Sequence, residues 1–199
     1  MRRALALAAV AALLAACAAL PPPQAIEDIY VLDARPAGVS APRRDVVLAV
    51  SMPRARAGFD TAQMAYERRP HELEYYARNR WADAPARMLA PLLVQALERS
   101  SGLRAVVPAS SVAAADLRLD VELVRLVQDF ATRPSRVRLT VRAQLTDVGS
   151  RRVVATREFD ETESAPSEDA YGGVVAANRA LERLLGRIVE LCAEQALGR

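Results

Sequence analysis

The chain has 199 residues, and the part after residue 17 is long enough for one domain with a sizeable core and too short to favour two. The formal net charge of +3 falls by two to +1 when Arg2 and Arg3 are removed, which excludes the strong basic excess of a nucleic-acid-binding protein. All 27 basic residues are arginines, and this compositional bias makes any single arginine a weak indicator of function.

Residues 1–16 have the layout of a secretory signal peptide. Met1-Arg2-Arg3 is a short cationic segment, and Ala4 to Ala16 is uninterrupted apolar sequence. A membrane-spanning helix needs about 20 apolar residues, whereas prolines at positions 21–23 end this stretch early. We therefore predict a leader that is removed from the mature protein.

Cys17 closes the sequence Leu14-Ala15-Ala16-Cys17, which resembles the bacterial lipobox. Small residues let an extended backbone enter the signal peptidase, and only a thiol can form the thioether with diacylglycerol. The resemblance predicts a lipidated Cys17 at the mature N-terminus and stable membrane attachment by more than one acyl chain. The absence of Asp at position 18 favours the outer membrane. The alternative is an ordinary small-x-small cleavage site in which Cys17 has no role.

Residues 17–25 are predicted to be the lipidated cysteine and a proline-rich tether, and residues 26–199 a single domain. The second cysteine, Cys192, then has no disulfide partner in Cys17. It lies on the apolar stripe of the last predicted helix, so we expect a buried, unreactive side chain.

The first half of the domain is predicted to hold short strands separated by loops, because apolar runs alternate with turn residues. The predicted elements are strands at 30–32 and 46–50, a loop at 54–60, and a hairpin of 63–68 and 71–76 with Arg69-Pro70 at its turn. A helix follows from Asp83, which is placed to cap it. Pro85 fits its first turn, whereas Pro91 should kink the helix or shift its start.

The second half begins with a short strand at 105–107 and then shows the clearest strand pattern, starting at Leu117. Apolar and polar residues alternate to Leu123 and change phase at Val124, which predicts a bulge. Strands over 136–145 and 152–159 complete an antiparallel meander, and a long amphipathic helix runs to Cys192. The expected fold is α+β, a mostly antiparallel sheet with two helices on one face.

The polar face of the meander carries Arg136, Arg138 and Arg142 beside Asp120 and Glu122. Cross-strand charge pairing is the simplest interpretation of these arginines. A patch that binds lipid headgroups is the alternative.

The search for catalytic or cofactor motifs gives no candidate. His71 is the one histidine and lies beside Glu72 and Glu74 without the further ligands that zinc needs. The hydrolase nucleophile motif and the phosphate-binding loop do not occur, and Gly172-Gly173 is expected only to relax the first turn of the last helix. An acidic run could hold calcium but is more typical of a solvated loop: Asp160, Glu161, Glu163, Glu168 and Asp169. We expect no enzyme activity, cofactor or metal.

Tyr66, Tyr75, Tyr76 and Trp81 gather four of the nine aromatic residues in a span rich in arginine. Tyrosine, tryptophan and arginine dominate the binding energy of protein interfaces. The cluster is therefore a candidate partner-binding surface, and the edge of the core is the alternative. If it is a surface, replacing Tyr75 and Trp81 by alanine should weaken partner binding and leave the melting curve nearly unchanged.

A dispersed pattern over nearly the whole mature chain resembles the ABC-type transport auxiliary lipoproteins. It consists of the lipobox Cys17, the strand at Tyr30, the aromatic stretch from Tyr66 to Tyr76, Arg80-Trp81 before a proline-containing helix, the Leu117-x-Leu-x-Val strand, and a final Ala177-Asn178-x-Ala180-Leu181 helix.

The resemblance implies a non-catalytic subunit of an envelope transport system. Its expected partners are an MCE-domain protein of the MlaD-like class and, through it, an ABC permease and ATPase that move phospholipid or another hydrophobic substrate. The chain would be the docking point at the outer membrane. Two alternatives stay open: a module that carries lipid between sheet and helices, and a structural lipoprotein that assists assembly of another envelope protein.

Overall fold

The computed structural model describes residues 27–35, 42–100 and 102–197, in which nine strands form one mixed sheet and two helices cover it. The strands are β1 (Asp28–Tyr30), β2 (Arg44–Val50), β3 (Arg54–Ala55), β4 (Gln63–Glu67), β5 (Glu74–Trp81), β6 (Leu103–Pro108), β7 (Leu117–Asp129), β8 (Arg136–Asp147) and β9 (Arg152–Ser164). The helices are α1 (Pro85–Ser100) and α2 (Ala170–Leu197). The predicted α+β class is confirmed, and the predicted leader, Cys17 and the whole of the tether lie outside the described residues.

The antiparallel meander β7-β8-β9 provides the long ladders of the sheet, as the alternating sequence predicted. The register of β7 against β8 shifts between Leu123 and Arg125, which confirms the bulge. β9 continues to Ser164, beyond the predicted end at Phe159. Its residues after Phe159 are all charged or polar, so they lack the apolar signal of a strand and are ordered by pairing with β8.

The edge of β7 opposite β8 pairs with three short strands, all parallel to β7. β2 pairs near Leu117, β3 near Glu122 and β4 near Gln128. β6 then adds to β2, while β5 and β1 add to β4. Because β7 is 13 residues long, its two ends carry different groups of strands about 35 Å apart.

One face of this sheet and both helices form a single core. Leu119, Val141 and Phe159 are fully buried on adjacent strands, and Leu184 and Ile188 of α2 are equally buried above them. Burial of each such side chain contributes about 1.5–3 kcal/mol to folding. α1 and α2 also contact each other, so the two helices lie on the same face.

Helix α1 begins as predicted, and Pro91 does not shift its start. Asp83 Oδ1 accepts the Ala84 backbone N–H at 2.7 Å, and the same atom pairs with Arg87 at 2.6 Å. Pro85 occupies the first helical position, where its missing N–H costs nothing.

The hairpin β4-β5 is antiparallel as predicted, but its second strand starts later, at Glu74, and extends to Trp81. His71 lies in the connecting turn with φ +69°, a left-handed conformation that is incompatible with a strand. The first strand ends at Glu67, before Pro70, and the turn runs on past His71, where Glu72 donates its backbone N–H to the Arg69 carbonyl.

The segment after β1 is held against α2 by one side chain, Asn178. Its Oδ1 accepts the Asp33 backbone N–H at 2.7 Å, and its Nδ2 donates to the Val31 carbonyl at 3.3 Å. Ala34 is buried beside it, and the rings of Tyr30 and Tyr171 lie 6.2 Å apart. The point at which the chain enters the domain is therefore fixed.

Charged side chains on the polar face of the meander form ion pairs, but only some of these are the predicted cross-strand pairs. Arg142 lies directly opposite Glu122 on β7 and Glu158 on β9. The closest ion pair of Glu122, however, is with Arg56 at 3.1 Å, and Asp120 pairs with Arg118 of its own strand at 2.9 Å. Exposed pairs of this kind contribute at most about 1 kcal/mol each.

Candidate partner-binding site

The most distinctive surface lies where β4 and β7 end and β5 begins, beside the start of α2. Tyr66 of β4 and Tyr76 of β5 project from the same face, with ring centroids 4.7 Å apart. Phe130, directly after β7, meets the Tyr66 ring edge-on at 6.0 Å. All three rings are half-buried, so each keeps an exposed part that a partner can contact.

Two arginines flank these rings. The Arg68 guanidinium lies 5.2 Å from the centre of the Tyr66 ring and donates to the Tyr66 hydroxyl at 3.0 Å. The Tyr66 hydroxyl in turn donates to Glu74 at 2.9 Å, which fixes the ring. Arg133, in the loop between β7 and β8, is exposed and lines the same hollow. We call Tyr66, Arg68, Tyr76, Phe130 and Arg133 the aromatic–arginine surface.

A buried polar network beneath this surface centres on Gln128, whose side chain is only 3% exposed. The Tyr76 hydroxyl donates to Gln128 Oε1 at 3.0 Å, and Gln128 Nε2 donates to the Ser135 hydroxyl at 3.0 Å and the Asp169 carbonyl at 3.1 Å. Burial also raises the pKa of Tyr76, so its hydroxyl stays protonated as a donor. A buried network with all its groups paired holds its members in one arrangement.

Gly172 and Gly173 have a packing role, which corrects the expectation that they only relax the helix start. A Cβ atom on Gly172 would lie 2.2 Å from the Ser167 backbone oxygen, and one on Gly173 would lie 2.1 Å from Gln128 Oε1. The doublet therefore lets the first turn of α2 approach β7 and the preceding loop closely enough for Gln128 to reach the Asp169 carbonyl.

Asp169 caps α2 at the edge of this site. Its carboxylate accepts the Gly172 backbone N–H and the Ser167 hydroxyl, both at 2.7 Å. These two donors hold the pKa of Asp169 below its usual range, the backbone bond having the larger effect.

Replacing Asp169 by alanine should lower the free energy of unfolding at neutral pH by about 0.5–2 kcal/mol through loss of the cap. Because the folded pKa is lowered, the stabilisation is present above the unfolded pKa of about 3.9 and is lost as pH falls through the folded value. Urea unfolding at pH 7 and pH 3 should show the gap between wild type and Asp169→Ala narrowing in acid. Asp169→Asn keeps a neutral acceptor, so its stability relative to Asp169→Ala should change little between pH 7 and pH 3. If the difference in stability between wild type and Asp169→Ala were the same at both pH values, Asp169 would not be the cap.

The structure separates the four aromatic residues that the sequence grouped together. The rings of Tyr66 and Tyr76 form the candidate site, whereas the Tyr75 side chain projects from the opposite face of β5 and donates its hydroxyl to the Gly58 carbonyl at 3.0 Å. Tyr75 nevertheless borders the hollow that Arg133 lines. Trp81 is only 4% exposed and belongs to the core. Assigning Trp81 to a partner-binding surface was therefore wrong, because a buried ring cannot contact a partner directly.

Three residues that the sequence analysis did not single out complete the surface: Arg68, Phe130 and Arg133. For Phe130 and Arg133, a signal is Gln128, which follows the apolar pair Leu126-Val127 of β7, since a polar residue at a buried position needs partners nearby. The loop from Phe130 to Ser135 supplies one of those partners.

The acidic run is accounted for by contacts within the protein. Arg183 Nε and Nη1 pair with Glu161 at 3.1 Å and Glu163 at 2.8 Å, and Arg187 pairs with Glu161 at 2.7 Å. Glu168 accepts the Ser135 backbone N–H at 2.8 Å. Within the described ranges, His, Cys, Asp and Glu side chains form no group of three or more that could hold a metal ion.

Cys192 is fully buried, as predicted, and burial raises the pKa of its thiol to about 12. The hollow between the sheet and α2, lined by residues that include Met64, Trp81 and Leu126, has a volume of about 10 Å³. That volume is no larger than one water molecule needs. Neither helix of the described part is both long and apolar enough to cross a membrane.

Residues 30–189 match the sequence model of a family described as ABC-type transport auxiliary lipoprotein component. Among solved structures, a Xanthomonas campestris protein assigned to DUF330 superposes with a TM-score of 0.77 at 24% identity, covering 86% of this chain and 99% of its own. A hypothetical protein from Chlamydia trachomatis superposes with a TM-score of 0.51 at 11% identity, covering 75% of this chain and 99% of its own. These two likenesses show a shared fold. No functionally curated protein matches the sequence.

Proposed function

Because the chain belongs to the family of ABC-type transport auxiliary lipoprotein components, we propose that it is a non-catalytic subunit that docks an envelope transport system at the outer membrane. Acyl chains on Cys17 hold it there, facing the periplasm. The transported substrate is phospholipid or another hydrophobic molecule, and ATP hydrolysis belongs to other subunits.

The observation that carries this proposal is the aromatic–arginine surface. Its rings are half-exposed, yet they are fixed from below by the Gln128 network and from the side by Glu74. Fixed aromatic and arginine side chains lose little entropy on binding, which is why they are frequent anchors in protein interfaces. The proposed partner is an MCE-domain protein of the MlaD-like class, through which the ABC permease and ATPase are engaged.

Arg133 gives this surface a cationic rim, so the matching partner segment presents an apolar side chain beside a carboxylate. Arg68 is already engaged with Tyr66 and Glu74. Arg133 is exposed, and no described residue forms an ion pair with it. An interfacial charge pair at this position would contribute to both affinity and orientation.

Reversing the charge at Arg133 tests the docking surface. Arg133→Glu should weaken binding of the MCE-domain partner by about tenfold, or about 1.4 kcal/mol, as measured by biolayer interferometry with the mature chain in detergent. The matched control is Arg43→Glu, which makes the same change just before β2, about 35 Å away along β7. Equal affinities of the two variants for the partner would refute this docking surface.

The anchor is tested separately by Cys17→Ser. This variant should fold with an unchanged circular dichroism spectrum but disappear from the outer-membrane fraction, because attachment by two or more acyl chains is replaced by none. Transport of the hydrophobic substrate should fail with it. A soluble variant that supports full transport would refute docking through the anchor.

The small volume of the hollow between the sheet and α2 favours docking over lipid carriage. A space of about 10 Å³ cannot hold an acyl chain unless the helices separate. Native mass spectrometry of the delipidated domain addresses this alternative, because a carrier would retain or reacquire one lipid per chain.

A further inference from the structure

We propose that the face formed by Ile29, Val31 and Tyr171 lies against the interface of the membrane that carries the acyl anchor. The inference rests on the proposed function, because it requires an acylated Cys17. It adds an orientation: the domain is held with the start of β1 and the start of α2 towards the lipid, and not at the end of a free tether.

Three of the ten large apolar residues that are exposed in the described part of the chain lie together at this face. Ile29 is 60% exposed, Val31 54% and Tyr171 60%, and all three line one shallow hollow between the N-terminal segment and α2. Val174 and Val175 extend its apolar lining. Single exposed hydrophobic residues are common on proteins, but a contiguous group indicates a contact surface.

The position of the face relative to the anchor identifies the membrane as its occupant. The described chain begins at Glu27, two residues before Ile29, and only positions 18–26 separate it from Cys17. Nine residues span at most about 30 Å when fully extended, so the anchor keeps this face within reach of the bilayer. The clamp of Asn178 on Asp33 and Val31 holds the segment after β1 against α2, so Val31 stays on the same face as Tyr171.

The charges around the face suit an apolar contact with the membrane. Arg35 pairs with Asp33 at 3.5 Å, Arg179 with Glu163 at 3.6 Å, and Glu27 with Arg80 at 3.5 Å. Since these groups neutralise one another, contact does not depend on anionic lipid and should persist at high salt. A tyrosine beside branched aliphatic side chains is the combination found at the headgroup level of membranes.

Site-directed labelling can test this orientation without removing either native cysteine, because neither should react with the label. Cys192 is fully buried with a raised thiol pKa, and an acylated Cys17 has no free thiol, so the wild-type chain should take up no nitroxide reagent. Tyr171→Cys and Ile29→Cys place labels on the face. Val148→Cys is the matched control: Val148 is 42% exposed and follows the far end of β8, about 35 Å from the strand start beside α2.

The acylated full-length mature chain is reconstituted in vesicles of phosphatidylethanolamine and phosphatidylglycerol, and the accessibility of each nitroxide label to oxygen and to a nickel complex is measured. The ratio of oxygen accessibility to nickel-complex accessibility should be several-fold higher at positions 171 and 29 than at 148. Labels on the face should sit about 5–10 Å into the headgroup region, and the ratio should not change in 1 M salt. Equal ratios at all three positions, in vesicles that still carry the protein, would overturn the orientation while leaving the anchor intact. Uptake of label by the wild type at Cys17 would overturn the anchor and the orientation together.

Discussion

Replacing Trp81 with alanine should lower the free energy of unfolding by about 3–5 kcal/mol, the usual cost of removing a large buried aromatic side chain. Trp81 is 4% exposed and packs with Met64 and Leu126 where β5 meets the core. Since it is the single tryptophan, unfolding should be followed by circular dichroism in urea. The midpoint should fall while the slope stays unchanged.

Tyr171→Ala is the matched control, because it also removes an aromatic ring but at a site that is 60% exposed. Its effect on stability should stay within about 0.5 kcal/mol. If Trp81→Ala unfolded with the wild-type midpoint, Trp81 would be a surface residue and the sequence-based interpretation would be restored. A destabilised Trp81→Ala also carries a practical consequence: loss of partner binding by that variant would report on folding and not on docking.

Gly173→Ala should destabilise the protein by about 1–3 kcal/mol, the usual cost of overpacking a core. The added methyl would lie 2.1 Å from Gln128 Oε1 and 2.9 Å from its Cδ. Gln128 cannot simply rotate away, because its amide would lose its bonds to Tyr76, Ser135 and Asp169 inside the protein. An unpaired buried polar group costs about 1–3 kcal/mol by itself.

The control for this prediction lies in the same helix. A methyl group added at Gly186 would meet no neighbouring atom within 4 Å, so Gly186→Ala should stabilise the protein by about 0.5–1 kcal/mol through helix propensity alone. The two identical substitutions should thus shift thermal unfolding in opposite directions. If both raised the melting temperature, the close approach of α2 to Gln128 would not be required for folding.

The Gly173 variant also links stability to the candidate site. Displacing Gln128 removes the acceptor of the Tyr76 hydroxyl, and the ring then loses one of its fixed contacts. We therefore expect reduced partner affinity in the folded fraction of Gly173→Ala but not in Gly186→Ala. The comparison tests whether the aromatic–arginine surface depends on the network beneath it.

Much of the second half of the fold could be predicted from the sequence. The period-two alternation from Leu117, its change of phase at Val124 and the three-to-four spacing that ends at Cys192 each report which side of one element is buried. Those patterns are local and long, so the meander, its bulge and the final helix were confirmed. The family was recognised from residues spread over the same elements.

The first half was predicted less well, for a physical reason. β3 is only two residues long, too short for a period to be read, and it lies in the segment that was predicted to be a loop. β3 and β4 are both placed by parallel pairing with β7, a contact between segments more than 60 residues apart in sequence. Likewise, the left-handed conformation of His71 extends the turn, and the second strand of the hairpin begins only at Glu74 and ends at the buried Trp81.

Patterns among neighbouring residues are enough to predict the α+β class, the amphipathic faces, the buried Cys192 and the lipobox at Cys17. Contacts between distant elements bring Tyr66 and Tyr76 together with Phe130 and Arg133 and place Trp81 in the core. The same kind of contact lets Asn178 hold the segment after β1 and requires glycine at position 173 beside Gln128. These features depend on side chains that meet across distant elements, where the free energy of a contact is set by packing and hydrogen-bond geometry and leaves no periodic trace along the chain.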